Sequence, residues 1–234
     1  MEKYSKNEKL NKAITILLPC LNEESVIGIC VKKAKKVIEK LGVNGEVLVV
    51  DNASTDNSAM IARECGARVI VEEKRGYGLA LRRGIKEAYG DVIIMIDADT
   101  TYDFGDIPKM YRMLEGGSFD MVIGNRFAGG MRKGAMSLSH RLGVRFLSFL
   151  GRKKFHTDVY DFHSGLRGLT ASAASRLHFE TSGMEFATEM IAVAAKNSLR
   201  IGQMPVSLRR CKYERKSKLH TIRDGLRHLK YIIM

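Results

Sequence analysis

Short apolar runs alternate with amphipathic stretches through the first half of the chain. The runs are rich in β-branched residues and predict buried strands at 14–19, 47–50, 67–71, 92–96 and 121–124. Between them, apolar residues recur at helical spacing and predict helices at 24–41, 56–65, 77–89 and 108–114. Strands that alternate with helices in this way predict an α/β fold, with an open, mostly parallel sheet and helices on both faces.

The second half of the chain is less regular. It predicts helices at 137–150 and 185–196, strands at 165–170 and 201–208, and an amphipathic helix from residue 221 onward. The chain has three prolines and no Ser/Pro-rich linker, so no firm boundary divides it. We therefore expect one domain over residues 1–220, followed by a basic amphipathic helix over residues 221–234.

Composition narrows the class of protein, and charge indicates the kind of partner. The 234 residues are 45% hydrophobic and 28% charged, which excludes a disordered or collagen-like chain. The 39 Lys and Arg exceed the 26 Asp and Glu, and the net charge of +13 indicates an anionic partner such as phosphate, nucleic acid or an acidic membrane. The four cysteines lack CxxC spacing and predict reduced thiols in a cytoplasmic protein. No signal core is visible, and no apolar run approaches the ~20 residues that span a bilayer.

Polar segments follow the first four predicted strands. They occupy residues 19–23, 51–56, 74–78 and 97–99. Because the carboxyl ends of parallel strands meet at one edge of a sheet, we expect these segments to form one ligand site. Asp97 and Asp99 are two apart in an extended segment, so both carboxylates can face one ligand. Carboxylates suit Mg²⁺ or Mn²⁺, metals that commonly bridge to substrate phosphates. A bare DxD also occurs in solvated turns, but its place directly after a buried strand favours a metal site.

Other motifs are weaker. Gly76-Tyr77-Gly78 lacks the last glycine of a dinucleotide fingerprint and follows the wrong strand, so it indicates either a loop beside a phosphate or a plain helix-start turn. The His and Asp residues at 156–163 match no familiar zinc spacing. Glu185 and Glu189 share a helix face, where we expect a Glu to orient a basic residue of the site.

At these motifs the sequence resembles the inverting glycosyltransferases of family 2, which have the GT-A fold. Residues 19–23 match the family's P-x-x-N-E opening, 51–56 its D-[DN]-x-S-x-D loop and 97–99 its DxD motif. Residues 124–127 and 161–167 resemble its G-x-R-[FY] and D-x-x-[ST]-G-[FL]-R segments. Together with 183–186 and 215–219, these later segments are similar to the dolichol-phosphate mannosyltransferase and polyprenyl-phosphate glucosyltransferase group. The resemblance extends from about residue 14 to the C-terminus.

The resemblance implies a role for individual residues. The nucleotide sugar would contact Pro19, Leu21, Glu23, Asp51, Ser54, Arg75 and Asp97. The metal ligands would be Asp99 and Asp97, with Thr101 standing where some relatives carry Gln. The acceptor phosphate would lie against Arg126, Arg141, Arg167, Ser217 and Lys218. Asp99 and Arg126 would be catalytic, and Asp161 is the carboxylate expected if an acid or base is needed.

The implied reaction is transfer of a hexose from a UDP- or GDP-linked donor to a polyprenyl or dolichyl phosphate, with inversion at C1. A phosphate acceptor is already anionic and needs cations more than a general base. A sugar-hydroxyl acceptor within the same family is the alternative, and it would need a carboxylate base. A nucleic-acid-binding module would explain the charge, but no nucleic-acid-reading motif is present, so we expect no nucleic-acid partner.

The end of the chain predicts contact with a membrane. Residues 205–234 contain nine Lys or Arg and two Asp or Glu. Within them, apolar residues of one helical face are Ile222, Leu226, Leu229 and Ile233, and the cations Arg223, Arg227 and Lys230 lie off that face. This pattern is typical of an interfacial helix on anionic lipid. We expect a location at the cytoplasmic face of the membrane, either peripheral or anchored by segments outside this chain; the oligomeric state stays open.

Overall fold

One seven-stranded sheet organises the protein. The structure is a computed structural model that describes residues 12–132, 134–211, 213 and 221–234. In chain order the strands are β1 (Ile14–Cys20), β2 (Gly45–Asp51), β3 (Arg68–Val71), β4 (Val92–Met95), β5 (Met121–Asn125), β6 (Arg167–Thr170) and β7 (Ile201–Pro205). They lie side by side in the order β3-β2-β1-β4-β6-β5-β7.

Helices connect the strands and cover both faces of the sheet. Those of the described residues are α1 (Ile27–Leu41), α2 (Ser58–Glu64), α3 (Tyr77–Glu87), α4 (Ile107–Glu115), α5 (Arg126–Gly129), α6 (Leu138–Phe155), α7 (Ala171–Ala174), α8 (Phe186–Lys196) and α9 (Thr221–Ile233). A 3₁₀ turn, Phe104–Asp106, precedes α4. The predicted helices and strands are therefore present, and most bounds agree within two residues. The largest differences are that α1 begins three residues late, α6 continues to Phe155, and β7 ends at Pro205.

The sheet is mostly parallel, as the alternating pattern predicts. Strands β1 to β4 pair in parallel with one another, and β5 pairs in parallel with β7. Strand β6 is antiparallel to both of its neighbours, β4 and β5. This reversal brings the segment before β6, residues 161–166, to the carboxyl end of β4, where Asp97 and Asp99 follow.

Two apolar cores lie on opposite faces of the sheet. Successive residues of β1 alternate between them: Ile16 and Leu18 pack under α1 and α4, and Leu17 packs under α3 and α8. All three are fully buried, as expected for a central parallel strand covered on both faces.

The last helix packs against the body of the protein through an unexpected face. Helix α9 contacts α6 and α8, and its buried residues are Asp224, His228 and Ile232. The apolar residues Ile222 and Leu226 stay exposed, at 81% and 60% of their surface. Within the described part of the chain, no helix is both long enough and apolar enough to cross a membrane.

Candidate active site

A cavity of about 350 Å³ opens at the carboxyl edge of the sheet. Six residues that the sequence analysis assigned to the nucleotide sugar or the metal line it: Pro19, Leu21, Glu23, Arg75, Asp97 and Asp99. They come from the ends of β1 and β4 and from the loop before α3, as expected for parallel strands. The predicted convergence of these segments on one edge is therefore present.

Hydrogen bonds between loops hold the rim of this cavity in shape. The side chain of Asn52 donates to the carbonyl of Lys74 at 2.7 Å and accepts from the amide of Gly76 at 2.7 Å. The Asn22 carboxamide oxygen accepts from the amide of Thr55 at 2.7 Å. Residues Asn22, Ala53 and Thr100 have positive φ angles of 50°, 57° and 61°. Strained backbone of this kind clusters at ligand sites, where surrounding contacts enforce it.

Two residues of the predicted nucleotide set, Asp51 and Ser54, lie behind the lining. The Ser54 hydroxyl accepts from the amide of Asn22 at 2.9 Å, so it joins two loops. Asp51 is buried, and its Oδ2 accepts from the Ser54 amide at 3.3 Å. Its Oδ1 is buried and has no hydrogen-bond partner among the described residues. A buried acceptor without a partner is costly unless a ligand supplies a donor.

The Asp97 carboxylate lies in a tight, buried environment. Its Oδ1 accepts from the Tyr77 hydroxyl at 3.1 Å. A Cβ added to Gly165 would lie 1.9 Å from its Oδ2, so only glycine fits beside it. Burial, followed by the charge of Asp99, raises the pKa of Asp97 to about 6. A divalent cation shared with Asp99 would offset this repulsion.

The donor set suits a metal that also binds substrate. Asp99 is buried, and its Oδ1 accepts from both the amide and the hydroxyl of Thr101, at 3.0 and 2.5 Å. Thr101 therefore orients Asp99, and its role as a third ligand stays a prediction. No group of three or more His, Cys, Asp or Glu side chains with metal-binding geometry occurs among the described residues. Mg²⁺ is usually bound by one or two carboxylates, and substrate phosphates complete its coordination.

Arg126 and Asp161 form a buried ion pair. The guanidinium donates from Nε to Asp161 Oδ2 and from a terminal nitrogen to Oδ1, both at 2.7 Å. Oδ2 also accepts from the amide of Arg126 at 3.1 Å. Both side chains are almost fully buried. Asp161 is thus engaged by a cation, which disagrees with its predicted availability as an acid or base.

Arg167 also differs from the prediction. It is 1% exposed, and its guanidinium donates to the backbone carbonyls of Ser164, Ala187 and Phe162 at 2.7 to 2.8 Å. An arginine satisfied in this way stabilises the segment before β6 and does not face an acceptor phosphate. This correction removes Arg167 from the acceptor set. Arg141 is exposed on α6, and the predicted Ser217 and Lys218 lie outside the described residues.

Several lining residues had no individual role in the sequence analysis, although Cys20, Asn52 and Tyr77 lie in segments expected at the site. They are Cys20, Asn52, Tyr77, Gly183, Met184, Arg223, Asp224 and Arg227, among others. Tyr77 belongs to the motif at 76–78, in which only the glycines carry a sequence signal for a phosphate loop. Burial raises the pKa of the Cys20 thiol to about 12, so the thiol stays neutral at physiological pH. The three residues from α9 had been assigned only to a membrane helix, and its amphipathic pattern does not show which body it packs against.

Comparison with known proteins agrees with this geometry. The sequence model of "Glycosyl transferase family 2" matches residues 15–177. The chain is 34% identical over 231 residues to the low-salt glycan biosynthesis hexosyltransferase Agl6 of Haloferax volcanii, covering 98% of this chain and 55% of that protein. It is 32% identical over 216 residues to the glycosyltransferase AglJ of the same organism, covering 91% of this chain and 68% of that protein. The chain thus spans about half the length of Agl6.

A solved structure shares the fold. Glucosyl-3-phosphoglycerate synthase from Mycobacterium tuberculosis, in complex with Mn²⁺, UDP and glucosyl-3-phosphoglycerate, superposes with a TM-score of 0.72 at 22% identity. The match covers 96% of this chain and 81% of that one. The expected α/β fold of GT-A type is confirmed. The chain belongs to glycosyltransferase family 2.

Proposed function

We propose that this glycosyltransferase transfers a hexose from a UDP- or GDP-linked donor to a polyprenyl or dolichyl phosphate, with inversion at C1 and with Mg²⁺ or Mn²⁺. The similarity to Agl6, which is named a hexosyltransferase, supports a hexose as the transferred sugar. The Mn²⁺ and UDP in the mycobacterial synthase support a metal-bound nucleoside diphosphate. The lipid-phosphate acceptor is supported by the position of α9.

The cavity offers both parts of a donor site. The unpartnered Oδ1 of Asp51 lies behind the rim as an acceptor for a base or ribose donor. At the other side, Asp97 and Asp99 would hold the metal, which would stabilise the negative charge that develops on the diphosphate as the C1–O bond breaks. Tyr77 and Gly165 fix the Asp97 carboxylate for this purpose.

An anionic acceptor fits the state of Asp161. A sugar hydroxyl needs a general base to accept its proton, and Asp161 is held by two hydrogen bonds from the guanidinium of Arg126. A phosphate oxygen attacks C1 without losing a proton. The ion pair therefore favours the phosphate acceptor over the hydroxyl alternative.

The observation that carries the acceptor proposal is the two-sided character of α9. One side of this helix lines the cavity with Arg223, Asp224 and Arg227. The other side exposes the apolar residues Ile222 and Leu226. A helix that contacts lipid with one side would thus bring the cavity to the membrane surface.

Helix α6 extends the same surface. It packs against α9 and exposes four large apolar side chains at helical spacing, Leu138, Leu142, Phe146 and Phe149. Arginines 141 and 145 are exposed beside them. Exposed apolar stripes bordered by cations are typical of helices on anionic lipid. We place the protein at the cytoplasmic face of the membrane, with its anionic surface as a partner.

A transfer assay tests the proposal. Purified protein is incubated with radiolabelled UDP- and GDP-hexoses and Mn²⁺, with a polyprenyl phosphate or with a panel of sugar acceptors. We expect label in the organic phase only with the lipid phosphate, and none in the presence of EDTA. Label transferred to a sugar hydroxyl instead would establish the alternative acceptor.

A further inference from the structure

A cation from α9 lines the same cavity as Asp97 and Asp99. Arg227 lines the cavity and is about half exposed. Its Nε lies 3.5 Å from Oε2 of Glu185, which precedes α8. Glu185 was expected to orient a basic residue, and Arg227 is that residue in the structure.

Gly183 brings the backbone directly against this pair. Its amide donates to Glu185 Oε1 at 3.1 Å, so one carboxylate oxygen holds the loop and the other faces Arg227. A Cβ added at Gly183 would lie 2.5 Å from Glu185 Oε2 and 2.6 Å from a terminal nitrogen of Arg227. Both atoms end flexible side chains. An alanine there would displace the two side chains and leave the backbone in place.

The helix that carries Arg227 is fixed by a buried contact one residue further on. A hydrogen bond of 2.8 Å joins His228 Nδ1 and Thr188 Oγ1 of α8. The His228 ring also packs edge-on against His163, with ring centroids 4.3 Å apart. This anchor sets the rotation of α9, so Arg227 has a defined place relative to Asp97 and Asp99.

We propose that Arg227 binds a phosphate group of a substrate in this cavity, with Glu185 and Gly183 as its positioning residues. A guanidinium binds phosphate through two parallel hydrogen bonds from its fork of N–H donors. A carboxylate behind the guanidinium fixes the plane of this fork. The phosphate comes either from the donor diphosphate or from the lipid acceptor. The inference rests on the proposed function only in taking the ligand to be a substrate of that site.

Binding measurements on variants of Arg227 and its neighbours test it. Arg227→Gln removes the charge, Arg227→Lys keeps the charge without the fork, and Gly183→Ala displaces the fork while keeping the charge. Gly225→Ala on the same helix is the matched control, because a Cβ there meets nothing within 4 Å. The probes for calorimetry are UDP, GDP and inorganic pyrophosphate, each with Mn²⁺, and the KM for polyprenyl phosphate is measured in the transfer assay.

We expect Arg227→Gln to raise either the Kd of the diphosphate probes or the KM of the lipid phosphate by about tenfold or more, as for a lost charged hydrogen bond. Arg227→Lys and Gly183→Ala should lose part of that affinity, and Gly225→Ala should lose none. The affected probe identifies the source of the phosphate. Glu185→Gln should weaken phosphate binding in the wild-type background but cause no further loss in Arg227→Gln, because Glu185 and Arg227 act as one unit.

Two results would overturn the inference: unchanged Kd and KM in Arg227→Gln, or additive effects of Glu185→Gln and Arg227→Gln. Failure of the proposed function gives a different outcome. If no donor sugar is transferred to lipid but the diphosphate probes lose affinity in Arg227→Gln, the phosphate site stands and the acceptor assignment falls. Circular dichroism of each variant separates loss of binding from loss of fold.

Discussion

A single methyl group at residue 165 should displace Asp97, one of the two aspartates that we propose to hold the metal. The added Cβ of Gly165→Ala would lie 1.9 Å from Asp97 Oδ2 and 2.4 Å from its Cγ. The backbone cannot retreat easily, because the Gly165 amide donates to the Tyr102 hydroxyl at 2.7 Å and Arg167 binds the carbonyl of Ser164. The Asp97 carboxylate must therefore move by about 1 Å or more, and a misplacement of that size costs on the order of 10²-fold in rate.

The assay for this change is kcat/KM for hexose transfer, with Mn²⁺ affinity measured in parallel. We expect transfer to fall about 100-fold, equivalent to ~2.7 kcal/mol, with an unchanged circular dichroism spectrum. Gly143→Ala is the matched control, since a Cβ at that position in α6 meets nothing within 4 Å. Activity of Gly165→Ala within threefold of wild type, in a folded protein, would refute the placement of Asp97 in the reaction.

Other perturbations test separate parts of the structure. Asp99→Ala should abolish transfer and Mn²⁺-dependent nucleotide binding, because the leaving diphosphate loses its counter-charge; near-normal turnover in EDTA would contradict the metal site. Asp161→Asn leaves Arg126 buried without its partner and should lower the free energy of unfolding by about 3 to 5 kcal/mol in urea titrations, and a loss below 1 kcal/mol would mean that the pair is not buried in solution. Burial, followed by the charge of Arg167, lowers the pKa of His228 to about 4. Because the unfolded chain takes up the proton first, the free energy of unfolding should fall by roughly 3 kcal/mol as the pH drops from about 6.5 to 4. His228→Gln should remove that part of the pH dependence, measured by urea titration at each pH. Phe146→Glu with Leu226→Glu should abolish co-sedimentation with anionic vesicles at low salt, and vesicle binding equal to that of wild type would remove the membrane role of these helices.

The edge of the sheet was predictable because its signals are local. The buried strands have continuous apolar runs, and the polar segments follow them directly in the sequence. Parallel pairing then brings Pro19, Asp97 and their neighbours together without further information. The order of the strands is enough to predict that the DxD motif and the loop before α3 lie at this edge.

The remainder of the site depends on contacts between distant segments. Arg126 and Arg167 look alike in the sequence, but one is paired with Asp161 and the other donates to three carbonyls. The burial of each arginine decides its role, and the residue type at a single position does not reveal burial. The amphipathic pattern of α9 correctly predicts a helix, yet the apolar side is exposed and the side with Asp224 and His228 is buried. A helix that packs with a polar side breaks the usual rule, and here that side reaches the cavity.

The most direct test of the account is the chemical identity of the transferred bond. The lipid-extractable product of the transfer assay, made with an α-linked nucleotide sugar and Mn²⁺, is examined by ³¹P and ¹H nuclear magnetic resonance. We predict a β-configured sugar whose anomeric proton couples to a single phosphorus atom of a phosphodiester. A retained α configuration, or an anomeric carbon in a glycosidic bond to a former hydroxyl oxygen without phosphorus coupling, would contradict inverting transfer to a lipid phosphate.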